Sequence, residues 1–157
     1  MIQDVALAPG RLLGGVLAPH SENAVTDMVG EYGSGDVCTQ TDATAVGCGI
    51  LPENLDEFLV RSPYVTITKS SAPLLLLQAE SDLRCPPGQT DLVLAILKKH
   101  GAPVEMIRYP DEPHYMAGTG RPDRRVDRLE RIVHLVHRTP GIAGTERRQP
   151  GGRTVGW

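Results

Sequence analysis

Two residues have types and placement suited to proton transfer, Asp82 and His114. Asp82 follows the run Leu74-Leu75-Leu76-Leu77-Gln78-Ala79, and His114 follows Val104 to Tyr109 within Pro110-Asp111-Glu112-Pro113-His114. An ionised carboxylate that accepts a hydrogen bond from one imidazole nitrogen fixes the ring's tautomer. It also stabilises the imidazolium formed when the other nitrogen takes a proton. That is the work of two members of a triad whose third member is a hydroxyl nucleophile. The same residues admit a plainer reading: an Asp after a strand often serves a turn or an N-cap, and a lone loop histidine often faces water.

The elements that must position the pair are well marked. Four consecutive leucines bounded by turn residues predict a buried strand over 74–79. Gln89 to His100 predicts an amphipathic helix with Leu92, Val93, Ile96 and Leu97 on one face and Gly101 as its C-cap. Val104 to Tyr109 predicts the next strand. A strand, a helix and a strand at this spacing make a right-handed parallel crossover, and in open parallel sheets chemistry gathers outside the carboxyl ends of the strands. Acid before histidine, late in an α/β chain, also matches the order Ser…Asp…His of α/β-hydrolases.

The rest of the chain supplies further elements. Leu12 to Ala18 predicts a short buried strand stopped by Pro19, and Glu22 to Glu31 a short helix with Ala24, Val25, Met28 and Val29 at helical spacing. Gly33 to Leu51 has no periodicity and reads as a loop, of a length that is usually functional or poorly ordered. Pro52 to Arg61 predicts a helix with Leu55, Phe58 and Leu59 as its apolar stripe, ended by Ser62-Pro63. Pro122 to His137 predicts a last helix: Val126, Leu129, Ile132, Val133 and Val136 lie on one face, and Arg121, Arg124, Arg125, Arg128 and Arg131 mostly on the other, read as a solvated face. Residues 139–157 are rich in Gly, Pro and Arg and are expected to be a disordered tail; residues 1–138 form the one partial domain.

Composition narrows the function classes. The 157 residues are 40% hydrophobic and 22% charged, as in a soluble globular domain, and only 4% aromatic, so the core must be aliphatic. A net charge of −3 gives no electrostatic reason to expect a nucleic-acid or membrane partner. Cys38, Cys48 and Cys85 show no CxxC spacing and read as small apolar residues in a reducing compartment, with a Cys38–Cys48 disulfide left open. No basic, then apolar, leader occurs in Met1 to Leu13, and no run approaches the ~18 apolar residues of a membrane helix, so the expected location is cytoplasmic. Asp111, Glu112 and His114 share one short loop with no second ligand group, and no phosphate-binding glycine motif follows a strand; no metal or other cofactor is expected.

Many short segments carry a more specific signal in register: Ser62-Pro63, Ala72-Pro73-Leu74-Leu75-Leu76-Leu77, Glu80-Ser81-Asp82-Leu83-Arg84-Cys85-Pro86, Gly88-Gln89, Gly101-Ala102-Pro103-Val104-Glu105, Arg108-Tyr109-Pro110, His114 and Gly120-Arg121-Pro122. Together they resemble the C-terminal end of the prolyl oligopeptidase family of serine peptidases, especially its acylaminoacyl-peptidase and dipeptidyl-peptidase-like branch. Tyr32-Gly33-Ser34-Gly35-Asp36-Val37 resembles the segment after that branch's nucleophile strand and helix. The resemblance runs from about residue 12 to residue 138. It implies the C-terminal portion of an α/β-hydrolase fold, parallel strands with flanking helices, and hydrolysis of short or N-acylated peptides. By the same match, Asp82 falls on the family's catalytic Asp and His114 on its catalytic His.

The departure from the family is large. Its nucleophile lies on a G-x-S-x-G-G elbow. Of the six serines here, Ser21, Ser34, Ser62, Ser70, Ser71 and Ser81, none has glycine at both −2 and +2. Without nucleophile and oxyanion donors, Asp82 and His114 cannot form an acyl-enzyme. The alternatives are an inactive truncated fragment and a non-enzymatic binding module that reuses the half-domain. A half-sheet also exposes a strand edge and apolar helix faces, so self-association or a complementing chain is expected.

Overall fold

The computed structural model describes residues 20–36, 49–69 and 73–138. The strand expected over 12–18, most of the 33–51 loop with Cys38 and Cys48, and the tail over 139–157 lie outside the described residues.

Three parallel strands lie in the order β1-β2-β3: β1 is His20–Glu22, β2 Leu74–Ala79 and β3 Val104–Tyr109. The central strand pairs Leu75 with His20 on one side and with Glu105 on the other. Every residue of β2 is buried, which is why its sequence is a continuous apolar run rather than an alternation. Helix α1 spans Met28–Ser34, α2 Leu55–Val60, α3 Gly88–Lys99, α4 Met116–Thr119 and α5 Pro122–Arg138. Two single 3-10 turns, Pro63–Val65 and Ile67–Lys69, lead into β2.

Helices cover both faces of the sheet. On one face Leu74 and Leu76 pack with Val93 and Leu97 of α3 and with Ile67. On the other, Leu75, Leu77, Ala79, Tyr109 and Met116 pack with Ile132 and Leu135 of α5. Alternate residues of one strand thus serve opposite layers. A third cluster joins α1 to α2, where Met28 and Phe58 are buried and the Tyr32 ring meets the Phe58 ring edge-on at 5.4 Å. The α/β fold and the crossover from β2 through α3 to β3 match the sequence expectation, with the strand bounds at 74–79 and 104–109 as read.

Three expectations need correction. Residues 22–31 are not one helix: His20–Glu22 forms β1, and the helix starts at Met28, where Asp27 Oδ1 accepts the Val29 N–H at 3.0 Å as an N-cap. Pairing with β2 draws Glu22 out of the helix, and residues 24–27 form an irregular link to Met28. The helix expected from Pro52 begins only at Leu55, because residues 51–54 form a turn in which Asn54 Oδ1 accepts the Ile50 N–H at 3.0 Å. Phe58 is its buried residue, whereas Leu55 is exposed.

The third correction concerns α5. Its Val126, Leu129 and Val133 are 55%, 55% and 53% exposed, and the side chain of Val136 lies outside the described set. Two of the arginines assigned to the solvated face turn toward the sheet instead. Arg128 reaches Glu22 at the end of β1, with N–O distances of 2.5–2.6 Å and both side chains less than a fifth exposed. Arg131 Nε holds Asp127 Oδ2 at 2.7 Å, and that oxygen also accepts the Tyr109 hydroxyl at 3.0 Å. Their charged heads find fixed partners on the sheet side of the helix, and this orientation carries the valine–leucine stripe outward.

Candidate active site

Asp82 sits three residues past the end of β2, and His114 five residues past the end of β3. Parallel pairing from Leu74–Val104 to Ala79–Tyr109 ends both strands at the same level, so the loops that follow them emerge side by side. His114 Nδ1 lies 2.9 Å from Asp82 Oδ2. The Asp82 side chain is fully buried and the His114 side chain is 40% exposed.

Asp82 serves both readings that its sequence position allowed. Its Oδ1 accepts the N–H groups of Arg84 and Cys85, each at 2.8 Å, which shapes the turn leaving β2, while its Oδ2 faces the imidazole. One oxygen builds the loop and the other meets the ring. Across this contact a ring Nδ1–H would be the donor and Asp82 Oδ2 the acceptor.

Neighbouring residues fasten both loops. Gln78 Nε2 donates to the Ala79 and Cys85 carbonyls and Gln78 Oε1 accepts from the Thr90 hydroxyl, tying the Asp82 loop to β2 and α3. Arg84 Nε pairs with Asp36 Oδ1 at 2.6 Å, and the Asp36 N–H donates to the Leu83 carbonyl, so the end of α1 braces the same loop. Gln89 Oε1 accepts the Thr26 and Asp27 N–H groups at 2.9 and 2.7 Å, which fixes the approach to α1. On the histidine loop, the Ser81 N–H donates to the Glu112 carbonyl at 3.0 Å. The buried Glu112 carboxylate accepts the Arg121 N–H at 3.2–3.3 Å, closing the loop on itself. Glu112 therefore does not join Asp111 and His114 in a ligand group.

Sequence reasoning misses Asn23 and the structural use of Glu112. Asn23 lies in a stretch that reads as helix, and nothing in linear spacing brings it to His114. Linear spacing groups Glu112 with its loop neighbours and not with Arg121. Two of the serine hydroxyls are bonded elsewhere. Ser34 donates to the Gly30 carbonyl within its own helix, and the buried Ser62 hydroxyl bridges the Phe58 carbonyl and the Met28 N–H. Ser70 and Ser71 lie outside the described residues. Among the described residues, no serine hydroxyl is hydrogen-bonded to the His114 ring.

A parallel sheet between helices, with an acid and a histidine meeting past the ends of adjacent strands, defines this as part of an α/β-hydrolase-type domain. Residues 18–141 match the sequence profile of the prolyl oligopeptidase family, and the chain belongs to that family. An uncharacterised peptidase of Bacillus subtilis is 35% identical over 80 residues, covering 51% of this chain and 12% of that protein. Dipeptidyl-peptidase 5 of Porphyromonas endodontalis is 34% identical over 55 residues, covering 35% of this chain and 8% of its own length. Among solved structures, Pyrococcus horikoshii acylaminoacyl peptidase superposes with a TM-score of 0.71 at 25% identity over 76% of this chain and 19% of its own. The chain thus spans about an eighth or less of these curated relatives and about a fifth of that structure.

Proposed function

We propose that this chain carries the acid and base of a serine-type peptidase, Asp82 orienting His114 and His114 acting as general base and then general acid. The observation that carries the reading is the 2.9 Å contact between a fully buried carboxylate and a part-exposed imidazole at the carboxyl ends of adjacent parallel strands. The nucleophile would take its place on the exposed side of the ring and lose its proton to Nε2. The substrate class follows from the relatives, whose names point to acylated and N-terminal peptides, and the setting that suits a chain with few cysteines is the reducing cytoplasm.

No described serine reaches the ring, which favours a nucleophile supplied from beyond these elements over one among them. The same observation supports the competing reading of a chain inactive by itself. Two further features suit a completing unit. The strand edge of β1 has one partner among the described residues, and the stripe Val126, Leu129 and Val133 is more than half exposed.

Fluorophosphonate labelling tests the proposal. The chain alone is expected to remain unlabelled. Co-expressed with an upstream segment bearing a G-x-S-x-G-G elbow, it is expected to promote labelling of that serine, and His114→Ala to abolish the effect. Labelling equal in the wild type and in His114→Ala would overturn the acid–base role. An adduct mapped to a serine of this chain would overturn the external nucleophile.

A further inference from the structure

We infer that Asn23 is a positioning residue for the Asp82–His114 pair. The inference rests on the acid–base reading above and deepens it. Asn23 is the first residue past β1 and is buried. Its main-chain N–H donates to the Leu77 carbonyl at 3.1 Å, continuing the ladder of β1 with β2. Its side chain then does two things at once: Oδ1 accepts the Ala79 N–H at 2.8 Å, and Nδ2 donates to the His114 carbonyl at 2.7 Å.

These partners lie 56 and 91 residues away in sequence, and both matter to the pair. Ala79 ends β2 and its carbonyl receives the Asp82 N–H at 3.4 Å, so it is where the turn bearing Asp82 departs. His114 is held by its own carbonyl, so the hold acts on the backbone that carries the ring. With that backbone fixed relative to β2, the imidazole has only its two side-chain torsions left with which to meet Oδ2. Among the described residues, this loop is also tied at Glu112, two residues earlier, by hydrogen bonds, and at Met116, two residues later, by burial in the core. Asn23 is thus one side chain that sets the distance between the two halves of the site.

The chain gives up conformational freedom for this arrangement. Asn23 has φ +46°, in the left-handed region, where Asn is the best tolerated of the larger side chains. Only an amide offers an acceptor to Ala79 and a donor to His114 in the same plane. A carboxylate of the same shape keeps the first and loses the second, and glycine keeps the backbone conformation and loses both.

The experiment follows the His114 ring by nitrogen and proton NMR in the full chain, and so needs no catalytic turnover. The wild type is expected to show the Nδ1–H tautomer with a slowly exchanging Nδ1 proton. In Asn23→Asp and Asn23→Gly, that proton is expected to exchange roughly tenfold faster, the factor that corresponds to one hydrogen bond, with loss of the single tautomer. Asp82→Asn is the control for the pair itself. Thr26→Val, which removes another buried hydrogen bond, from Thr26 Oγ1 to the Gln89 carbonyl, controls for general loosening. If Asp82→Asn alters the ring signals while both Asn23 variants match the wild type, Asn23 does not position the pair. A positioning role is equally overturned if Thr26→Val changes the signals as much as the Asn23 variants do. If Asp82→Asn also leaves them unchanged, the pair itself fails, and the acid–base reading with it.

Discussion

The two ends of this half-domain's architecture are built by opposite means. Past the carboxyl ends of β2 and β3, buried polar side chains meet: Asn23, Asp82, Gln78 and Glu112 each bond to backbone or side-chain groups of other segments. On the outer face of α5, apolar side chains are left uncovered by the described residues: Val126, Leu129 and Val133 are all more than half exposed. Buried polar groups are tolerable only when satisfied, so the first region is self-consistent within the described elements. We propose this stripe as the contact surface that the sequence leads one to expect. The site's scaffold is closed, whereas the flank is open, and tests of stability and association separate the two.

The sharpest break comes at Asp82. Asp82→Ala leaves the Arg84 and Cys85 N–H groups without their acceptor, and we expect a loss of about 2–4 kcal/mol in urea unfolding. A loss under about 0.5 kcal/mol would mean the site loop is not held as described. Next is Glu22→Gln, which weakens the partner of Arg128 between β1 and α5. The pair is mostly but not fully shielded, so the expected cost is about 1–3 kcal/mol, below that of breaking a deeply buried pair. Its size reads how firmly β1 is attached to the open flank.

Acidity offers a smaller probe of the same seam. Burial holds the His20 imidazole below its ordinary value, partly opposed by Glu22 and reinforced by Arg128. A lowered histidine pKa means the unfolded chain binds the proton first, so this contribution to stability is present above about pH 6.5 and is lost as pH falls below it. Thermal melts from pH 8 to pH 5 should show that decline, flattened in His20→Gln; an unchanged slope would remove His20 from the account. Tyr109 acts at the other end of the scale. Burial first, and then its hydrogen bond to Asp127, push its phenol up, so its contribution is present below about pH 10 and fades as pH rises above that. Tyr109→Phe should flatten that alkaline limb.

The smallest effect on stability is expected where the flank is open. Val126→Thr with Leu129→Gln and Val133→Thr should change unfolding free energy by no more than about 0.5 kcal/mol per site. The triple variant should nevertheless reduce concentration-dependent association in sedimentation. A large destabilisation in a monomeric wild type would show that the stripe is covered within the chain, and the contrast between the two regions would disappear.

How much of this is legible in the sequence follows the same physics. The strands β2 and β3 and helix α3 are readable because their apolar patterns are long and bounded by proline and glycine. Asp82 and His114 are readable as a candidate pair because each follows a strand of the same crossover. Strand β1 is not, since His20-Ser21-Glu22 has no strand pattern and becomes one only by pairing with Leu75 to Leu77. Asn23 is hidden for a related reason: its two side-chain partners are set by tertiary structure and by a left-handed backbone turn. The stripe of α5 is visible in the sequence without a direction, because periodicity tells which residues share a face and not which face meets the sheet.

The divided labour of Asp82 has an evolutionary consequence. Because Oδ1 supports the turn while Oδ2 meets the imidazole, selection for folding alone is enough to keep an aspartate there after any need for hydrolysis has gone. The His114 ring, part exposed and bonded by its side chain to no described residue but Asp82, enjoys no such protection. In a lineage drifting away from catalysis the histidine should vanish first and the aspartate linger. The residue that dates the loss of activity among descendants of this chain is therefore His114, and Asp82 by itself is a poor witness.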